Sequence, residues 1–218
     1  MTAVVAGTSL PRTGFRPPVA LASERLELLP LERSHVPALV RAGRFPEVWR
    51  YLRIGPGRTA AEMGTLVESL LAGQEAGDTL PFVVRLVRED TIVGILRFFH
   101  IDRENRSTEV GTWLTPSVWR TPVNTHAKFL ALRYAFEGEG AHRVVLKTHA
   151  ENARSAAAIE RLGAVREGTI REHIRMPDGR YSSSIEFSLL ASEWPGVRAA
   201  FAAKLERPWP HAPLAGDL

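Results

Sequence analysis

Two polar stretches of the sequence carry the residues that could do chemistry. The first runs from Thr108 to Lys128 and has the sequence TEVGTWLTPSVWRTPVNTHAK. Its periods predict a strand that ends at Leu114, a loop that contains proline, and a helix that begins near Thr121 or Asn124. The start of a helix has free N–H groups and the positive end of the helix dipole, so it is a candidate phosphate site.

The residues at this helix start include a predicted cap and polar side chains that could bind a phosphate. Thr121 is the predicted N-cap, with Pro122 at the first helical position. Asn124 and Thr125 add side-chain donors at the same place. Many helices begin in this way and bind nothing, so an ordinary helix start is the alternative. The pattern becomes informative only together with a second stretch.

That second stretch runs from Lys147 to Gly163 and has the sequence KTHAENARSAAAIERLG. It predicts a strand that passes into a helix, with Asn152 as the N-cap and Ser155 three residues further on. Capping is the favoured interpretation of Asn152. The alternative is that Asn152 and Ser155 direct polar atoms into a cleft between the strand and the helix.

Alternating and helical periods predict the elements that must position these residues. The predicted strands are Arg25–Leu29, Phe82–Val87, Thr91–Ile101, Ser107–Leu114, Val144–Thr148, Val165–Arg171 and Ser183–Leu190. The predicted helices are Ser34–Ala42, Ala60–Ala76, Asn124–Glu139, Asn152–Leu162 and Glu193–Leu205. This order indicates a mixed α/β layer of mostly antiparallel neighbours with one strand–helix–strand crossover.

Start and stop signals define the first two helices. Ser34 is the predicted N-cap of the first helix, with Pro37 in its early turns. Thr59 and Glu62 form a predicted capping box at the start of the second helix, and Gly77 is predicted to end it.

Composition excludes several classes of protein. The chain has 218 residues and no cysteine, which rules out a disulfide scaffold, a thiol nucleophile, a zinc ribbon and an iron–sulfur site. No apolar run approaches the ~20 residues that a membrane span needs. We therefore expect a cytoplasmic protein that does not bind a membrane. The net charge of +4 suits an anionic ligand but does not establish one.

Composition shifts also predict the boundaries of the domain. Residues 1–22 are rich in Gly, Pro and Thr and are predicted to form an extended N-terminal arm, which could pack on a second subunit of a homodimer. Residues 23–206 form one predicted domain, and residues 207–218 a flexible tail.

Taken together and in this order, the motifs resemble the GNAT superfamily of N-acetyltransferases, and most closely its RimJ/RimL-like branch. The resemblance covers about Leu21 to Leu205. The segments that carry it are EVGTWL (Glu109–Leu114), Trp119, NTHAK (Asn124–Lys128), YAFE (Tyr134–Glu137), NARSAAAIERLGA (Asn152–Ala164), EGTIREH (Glu167–His173), Asp178–Gly179 and FSLLASEWP (Phe187–Pro195).

The resemblance implies a mostly antiparallel sheet with helices on both faces and a V-shaped splay between the strands that end near Leu114 and Thr148. It implies acetyl-CoA as co-substrate, bound in that gap, with its diphosphate at the helix start and no metal. The cofactor-binding residues that it implies are Trp113, Leu114 and Thr115 on the strand edge, Thr121, Val123, Asn124, Thr125 and Lys128 at the helix start, and Asn152 and Ser155 near the thiol.

The sequence departs from the family pattern at three places. Pro122 and Asn124 stand where glycines are usual in the phosphate loop, and proline has no N–H to donate. Ile159 stands where many members have the tyrosine that protonates the leaving thiolate, so Ser155 or water would replace it. Ser182 and Ser183 stand where Arg-Asp is common, at the acceptor pocket.

The implied reaction is the direct attack of a neutral amine on the thioester, in a ternary complex. A base must remove a proton from the amine. Glu109 is the first candidate, expected five residues before the splay at Leu114. A structural pairing of Glu109 with an arginine such as Arg97 carries equal weight. His100 and His149 are secondary candidates, and the Leu114 N–H is the expected oxyanion donor.

Two other functions remain open at this stage. The first is an acyl-CoA-binding GNAT-fold sensor or interaction module without efficient catalysis, which the missing tyrosine and altered phosphate loop favour. The second is nucleic-acid binding, which we do not expect because the arginine-rich segments lack interleaved aromatic residues. The amine acceptor is expected to be a protein N-terminus or a small molecule.

Overall fold

The structure is a computed structural model that describes residue 15 and residues 20–54 and 59–205, without the side chains of residues 202 and 203. Most of the predicted arm and all of the predicted tail at 207–218 lie outside this part of the chain. At the end of the arm, strand β1 (Leu21–Ala22) pairs antiparallel with strand β2 (Leu26–Pro30).

The remaining elements follow the predicted order, except for a short helix at Pro46–Trp49 that was not predicted. The helices are α1 (Val36–Gly43), α2 (Pro46–Trp49), α3 (Ala60–Glu75), α4 (Val123–Arg133), α5 (Ala153–Arg161) and α6 (Trp194–Leu205). The strands are β3 (Thr79–Leu86), β4 (Thr91–Asp102), β5 (Ser107–Leu114), β6 (Arg143–His149), β7 (Val165–Arg175) and β8 (Tyr181–Leu190). Within the described residues, no helix is both long and apolar enough to cross a membrane.

Eight strands form one open sheet in the order β1-β2-β3-β4-β5-β6-β8-β7. Every neighbouring pair is antiparallel except β5 and β6, which run parallel. The connection between these two strands contains α4, as a parallel crossover requires. The predicted mixed α/β sheet is therefore confirmed.

Local signals explain where the first helices begin and end. The capping box at α3 is confirmed, because the Thr59 hydroxyl accepts from the Glu62 N–H and the Glu62 carboxylate accepts from the Thr59 N–H. The predicted cap by Ser34 was wrong. A 3₁₀ turn at Arg33–His35 precedes α1, and the Ser34 hydroxyl donates to Glu32 Oε2.

Two buried clusters lie on opposite faces of the sheet. One contains Phe98 and Val110 with the apolar residues of α4 and α6. The other contains Ile95 and Trp113 with Trp49 and the apolar residues of α1 and α3. Because side chains alternate along a strand, the residues of β4 and β5 divide between an α4 face and an α1–α3 face. Helices therefore cover both faces, as predicted.

The sheet opens between β5 and β6. Only three residue pairs join these strands, and the last is Glu109 with Val145. Beyond it β5 continues to Leu114 and β6 to His149 without pairing. The predicted V-shaped splay is present, but its expected position at Leu114 was wrong. The strands part at Glu109, five residues earlier, so Glu109 lies at the vertex of the opening.

Candidate functional site

A cavity of about 690 Å³ lies where β5 and β6 part. It extends from the start of α4, across the strand edge, to the segment that follows α2. Among the described residues that line it, seven are cationic (Arg53, Arg97, Arg120, Lys147, Arg154, Arg161 and Lys204) and two are acidic (Glu47 and Glu109). Such an excess of positive charge favours an anionic ligand.

Glu109 is the acidic residue at the vertex of this cavity, and it is only 8% exposed. Its Oε2 lies 3.1 Å from Lys147 Nζ and 3.3 Å from His100 Nδ1. Burial lowers the pKa of Lys147, but Glu109 and Glu186 together outweigh it, so the net pKa of Lys147 is raised. The carboxylate of Glu109 is therefore held in place by a lysine rather than by Arg97.

The edge of β5 presents only some of its amide groups to the cavity. The Thr115 N–H donates to Val93 O over 2.8 Å, and alternate residues of a strand direct their amides to the same side. The amides of Thr115 and Trp113 therefore face β4, whereas those of Thr112 and Leu114 face the open edge. The Leu114 carbonyl already accepts from Trp119 Nε1 at 2.8 Å, so the Leu114 N–H and the amide of Thr112 remain for a ligand.

Thr115 was also expected to bind the cofactor, and the structure places it apart from the other expected residues. Thr115 is fully buried and does not line the cavity, and its N–H belongs to the sheet. Trp113 lines the cavity, but its ring packs against Trp49 at 5.3 Å between centroids. Thr112, which sequence reasoning missed, lines the cavity with a buried hydroxyl that has no hydrogen-bond partner in the described part of the chain.

At the start of α4, Pro122 occupies the N-cap position rather than Thr121, so the predicted cap was one residue too early. The Thr121 hydroxyl donates to Val118 O over 2.7 Å and accepts from the Val123 N–H over 3.3 Å. The first intrahelical bond runs from the His126 N–H to Pro122 O. The N–H groups of Asn124 and Thr125 therefore remain directed at the cavity, which both residues line.

Val123 does not contribute to the cavity wall. Its side chain is fully buried in the α4-face cluster, and its N–H is bonded to Thr121. Arg120, two residues before the N-cap, has a φ of +63°. This left-handed conformation is one that glycine adopts more easily than any other residue. An arginine rather than a glycine therefore adopts the left-handed conformation in the turn before α4.

Lys128 was expected to bind the cofactor, and the structure places it elsewhere. It lies one turn beyond Asn124 and is 5% exposed, and its Nζ donates to Val110 O over 3.3 Å. Burial lowers the pKa of Lys128 to about 7, although Glu109 opposes this shift. Lys128 does not line the cavity.

Asn152 caps α5, as the favoured interpretation held. Its Oδ1 accepts from the Ser155 N–H over 3.1 Å. Both residues also line the cavity, so the cap and the cleft are the same place. No hydrogen bond of the Ser155 hydroxyl is present within the described residues. Ile159, one turn further on, is buried in the core.

Sequence reasoning missed two neighbouring arginines, Arg154 and Arg120, near the start of α4. The guanidinium of Arg154, in the first turn of α5, lies 3.3 Å from the centre of the Trp119 ring. Burial lowers the pKa of Arg154, and the nearby charge of Arg120 lowers it further. The two arginines come from segments more than thirty positions apart, so no local spacing could have brought them together.

The other end of the cavity is built from the segment after α2 and from β6 and β8. The Tyr51 ring lies 5.1 Å from the His149 ring, and Ser182 and Ser184 line the wall beside them. His149 Nδ1 accepts from the Glu151 N–H over 3.1 Å, which fixes its ring at the strand end. In the described ranges, no cluster of three His, Asp or Glu side chains could hold a metal ion.

The model of the acetyltransferase (GNAT) domain matches residues 25–165. The ribosomal-protein-serine acetyltransferase of Escherichia coli (strain K12) is 27% identical over 69% of this chain and 84% of its own length. A GCN5-related N-acetyltransferase from Brucella melitensis superposes with a TM-score of 0.80 at 29% identity, over 90% of this chain and 89% of that one.

Mycobacterium smegmatis RimJ in complex with CoA-disulfide has a TM-score of 0.73 at 22% identity, over 84% of this chain and 91% of that one. At this identity the likeness shows the fold alone. The family match, however, covers well over half of the chain and includes α4, β5 and β6. The resemblance to RimJ/RimL-like enzymes is confirmed, and the chain belongs to the GNAT acetyltransferase family.

Proposed function

We propose that this protein is an N-acetyltransferase that moves the acetyl group of acetyl-CoA directly to a primary amine. The observation that carries the proposal is the position of Glu109. It is a buried carboxylate at the vertex of two parted strands, inside a cavity with a cationic lining. A base at the point where a thioester would meet an amine is what direct transfer requires.

The groups at the opening suit acetyl-CoA. The open amide edge of β5 at Thr112 and Leu114 offers the hydrogen bonds that an extended pantetheine amide chain makes with a strand. The N–H groups of Asn124 and Thr125 and the guanidinium groups of Arg120 and Arg154 offer donors and charge for a diphosphate. The orphan hydroxyl of Thr112 supports this fit, because a buried donor without a partner is costly.

The chemistry follows from Glu109 and Ser155. The Glu109 carboxylate takes a proton from the ammonium form of the acceptor, and the amine nitrogen then forms a bond to the thioester carbon. The nitrogen then gives its surplus proton to a water, the carbon–sulfur bond breaks, and the Ser155 hydroxyl or a water donates a proton to the departing thiolate. The Leu114 N–H, on the open edge, is the donor for the charge that develops on the carbonyl oxygen. Lys147 Nζ, 3.1 Å from Glu109 Oε2, fixes the position of this carboxylate in the cavity.

The acceptor is a protein N-terminus or a small amine. The Escherichia coli relative is named for ribosomal-protein serine, which supports a protein acceptor. The acceptor would approach from the α1–α3 face of the sheet, because the side chain of Glu109 shares that face with its cross-strand partner Phe99. Tyr51 and Ser182 line the cavity together with Glu109.

Thiol release from acetyl-CoA, measured with a panel of amines, tests the proposal. We expect Glu109→Gln to lower kcat by about 100-fold or more, because general base catalysis contributes ~10²–10⁴-fold. Glu104→Gln is the matched control, since Glu104 is exposed on the β4–β5 turn outside the cavity. Equal rates for both variants would remove Glu109 from the mechanism.

The second candidate is an acyl-CoA-binding module without efficient catalysis. The buried Ile159 in place of a thiolate acid and the missing N–H of Pro122 favour it. The same assay separates the two. Binding of acetyl-CoA with no turnover across the panel supports the module, and steady turnover with any amine excludes it.

A further inference from the structure

Arg97 stands on the cavity wall beside the proposed base. The register of β4 and β5 places Arg97 opposite Gly111, and Phe99 opposite Glu109. Directly opposed residues share a face of the sheet, so Arg97 and Glu109 lie on the same α1–α3 face, one diagonal step apart. Such diagonal neighbours are about 7–8 Å apart at their Cα atoms.

Gly111 and Phe99 hold the Arg97 side chain in this position. A Cβ added at Gly111 would meet Phe99 Cε1 at 3.0 Å, so the Phe99 ring leans over the glycine. The Arg97 guanidinium lies 4.5 Å from the centre of that ring. The aromatic face supports the flat side of the guanidinium and leaves its N–H edge available to a ligand.

The charge of Arg97 has no close partner in the described part of the chain. Glu109 is paired with Lys147 and His100, and no other described carboxylate lies within ion-pair distance of Arg97. Burial lowers the pKa of Arg97, and the charge of Arg53 adds to this shift while Glu109 and Asp78 oppose it. A half-buried guanidinium with a second arginine nearby is costly until an anion joins it.

This anion must come with the acceptor. The diphosphate groups of acetyl-CoA are assigned to the start of α4, which packs on the other face of the sheet. We propose that the acceptor carries a carboxylate close to its amine, and that Arg97 binds this carboxylate while Glu109 receives the proton of the amine. The inference rests on the proposed function and narrows its acceptor to a class.

The planar guanidinium group of Arg97 matches the geometry of a carboxylate. Because Arg97 lies beside the proposed base Glu109, the two side chains together suit an acceptor whose amine and single acid group are a few bonds apart. Two sources have this chemistry. One is a free amino acid, through its α-carboxylate. The other is a peptide N-terminus with an acidic residue in its first positions.

Matched acceptor pairs test the proposal and distinguish the sources. The first pair is alanine and alaninamide. The second is a peptide amide that begins Ala-Glu and the same peptide that begins Ala-Gln. Because the amines of a pair differ in basicity, the quantity to compare is the acid-to-amide ratio of kcat/KM in the wild type and in Arg97→Gln.

In at least one pair, we expect the acid-to-amide ratio of kcat/KM to be about 10- to 100-fold lower in Arg97→Gln than in the wild type. This is the range that the loss of a hydrogen bond to a charged group produces. Arg97→Lys should retain part of the preference, and the exposed Arg41→Gln, outside the cavity, should retain all of it. The pair that responds identifies the source. A ratio that is unchanged in Arg97→Gln for both pairs overturns the proposal.

A binding measurement keeps the inference separate from the proposed function. Calorimetry with N-acetylalanine and N-acetylalaninamide on the protein saturated with CoA needs no turnover. Tighter binding of the acid, lost in Arg97→Gln, supports the carboxylate site even if no amine is acetylated. Equal affinity of the acid and the amide contradicts it. Absence of turnover with neutral amines as well as acids, in contrast, counts only against the proposed function.

Discussion

At the scale of single residues, the cavity depends on how buried charges are partnered. Glu109 is fixed by Lys147, whereas Lys128 is buried on the opposite side of β5 against a carbonyl oxygen. That carbonyl belongs to Val110, the first residue of β5 beyond the vertex. The amine of Lys128, on α4, therefore satisfies a backbone group that the parting of the strands leaves without its sheet partner.

Lys128 makes the stability of the fold depend on pH. Its pKa is about 7 in the folded state, below its ordinary value of 10.5. Between these values the unfolded chain binds a proton that the folded chain does not, so the free energy of unfolding rises with pH across this window. We expect the Lys128 contribution to grow by about 2–3 kcal/mol from pH 7 to pH 9.5.

Chemical denaturation of the wild type and Lys128→Met at the two pH values measures this contribution. The variant keeps the length of the side chain but cannot titrate. The difference between the two free energies of unfolding should change with pH as stated. A difference that stays constant from pH 7 to pH 9.5 would show that Lys128 keeps its proton in the folded protein.

At the scale of elements, two helix starts border the cavity and are built differently. The start of α5 is capped by a side chain, while the start of α4 leaves the N–H groups of Asn124 and Thr125 for a ligand. We expect Asn152→Ala to lower the free energy of unfolding by about 1 kcal/mol, the usual cost of a lost N-cap. Asn152→Asp keeps the accepting oxygen and is the control. Equal melting temperatures of the wild type, Asn152→Ala and Asn152→Asp would contradict the capping role.

The helix α4 also contains a histidine that should sense acid. His126 is 6% exposed, and burial lowers its pKa to about 4, with the charge of Arg25 adding to the shift. Between this value and the ordinary 6.5, only the unfolded chain is protonated at this side chain, so the free energy of unfolding falls as the pH drops.

We expect His126 to account for about 2 kcal/mol of the stability lost between pH 7 and pH 4.5. Denaturation of wild type and His126→Gln at both values provides the test, because glutamine keeps polarity but does not titrate in this range. Loss of the same stability by both proteins would place the acid sensitivity elsewhere.

Sequence reasoning predicted the elements better than it predicted the site. Strong periods and turn residues defined β5 to its exact bounds and the capping box of α3. The vertex at Glu109 could not be predicted, because it depends on how many residues of β5 and β6 pair before they separate. The burial of Lys128 and the pairing of Glu109 with Lys147 depend on the depth of each residue in the folded chain, which a one-dimensional pattern does not contain.

At the scale of the whole molecule, charge is distributed unevenly. The chain carries a net charge of only +4, yet the described lining of the cavity holds seven cations and two carboxylates. This field should attract acetyl-CoA and should be screened by salt.

We expect the Kd for acetyl-CoA to increase several-fold from low salt to about 0.5 M salt. S-acetylpantetheine, which lacks the phosphates, is the control and should show little change; equal salt dependence of both ligands would exclude the cationic lining as the cause.

The central claim is that the parted strands β5 and β6 bind acetyl-CoA beside Glu109. Calorimetric titration of the protein with acetyl-CoA tests it most directly, together with the melting temperature at saturation. One site per chain, weaker binding by Arg154→Gln than by Arg41→Gln, and a melting temperature that rises with ligand are the predicted results. No heat of binding and an unchanged melting temperature at saturating acetyl-CoA would contradict the account.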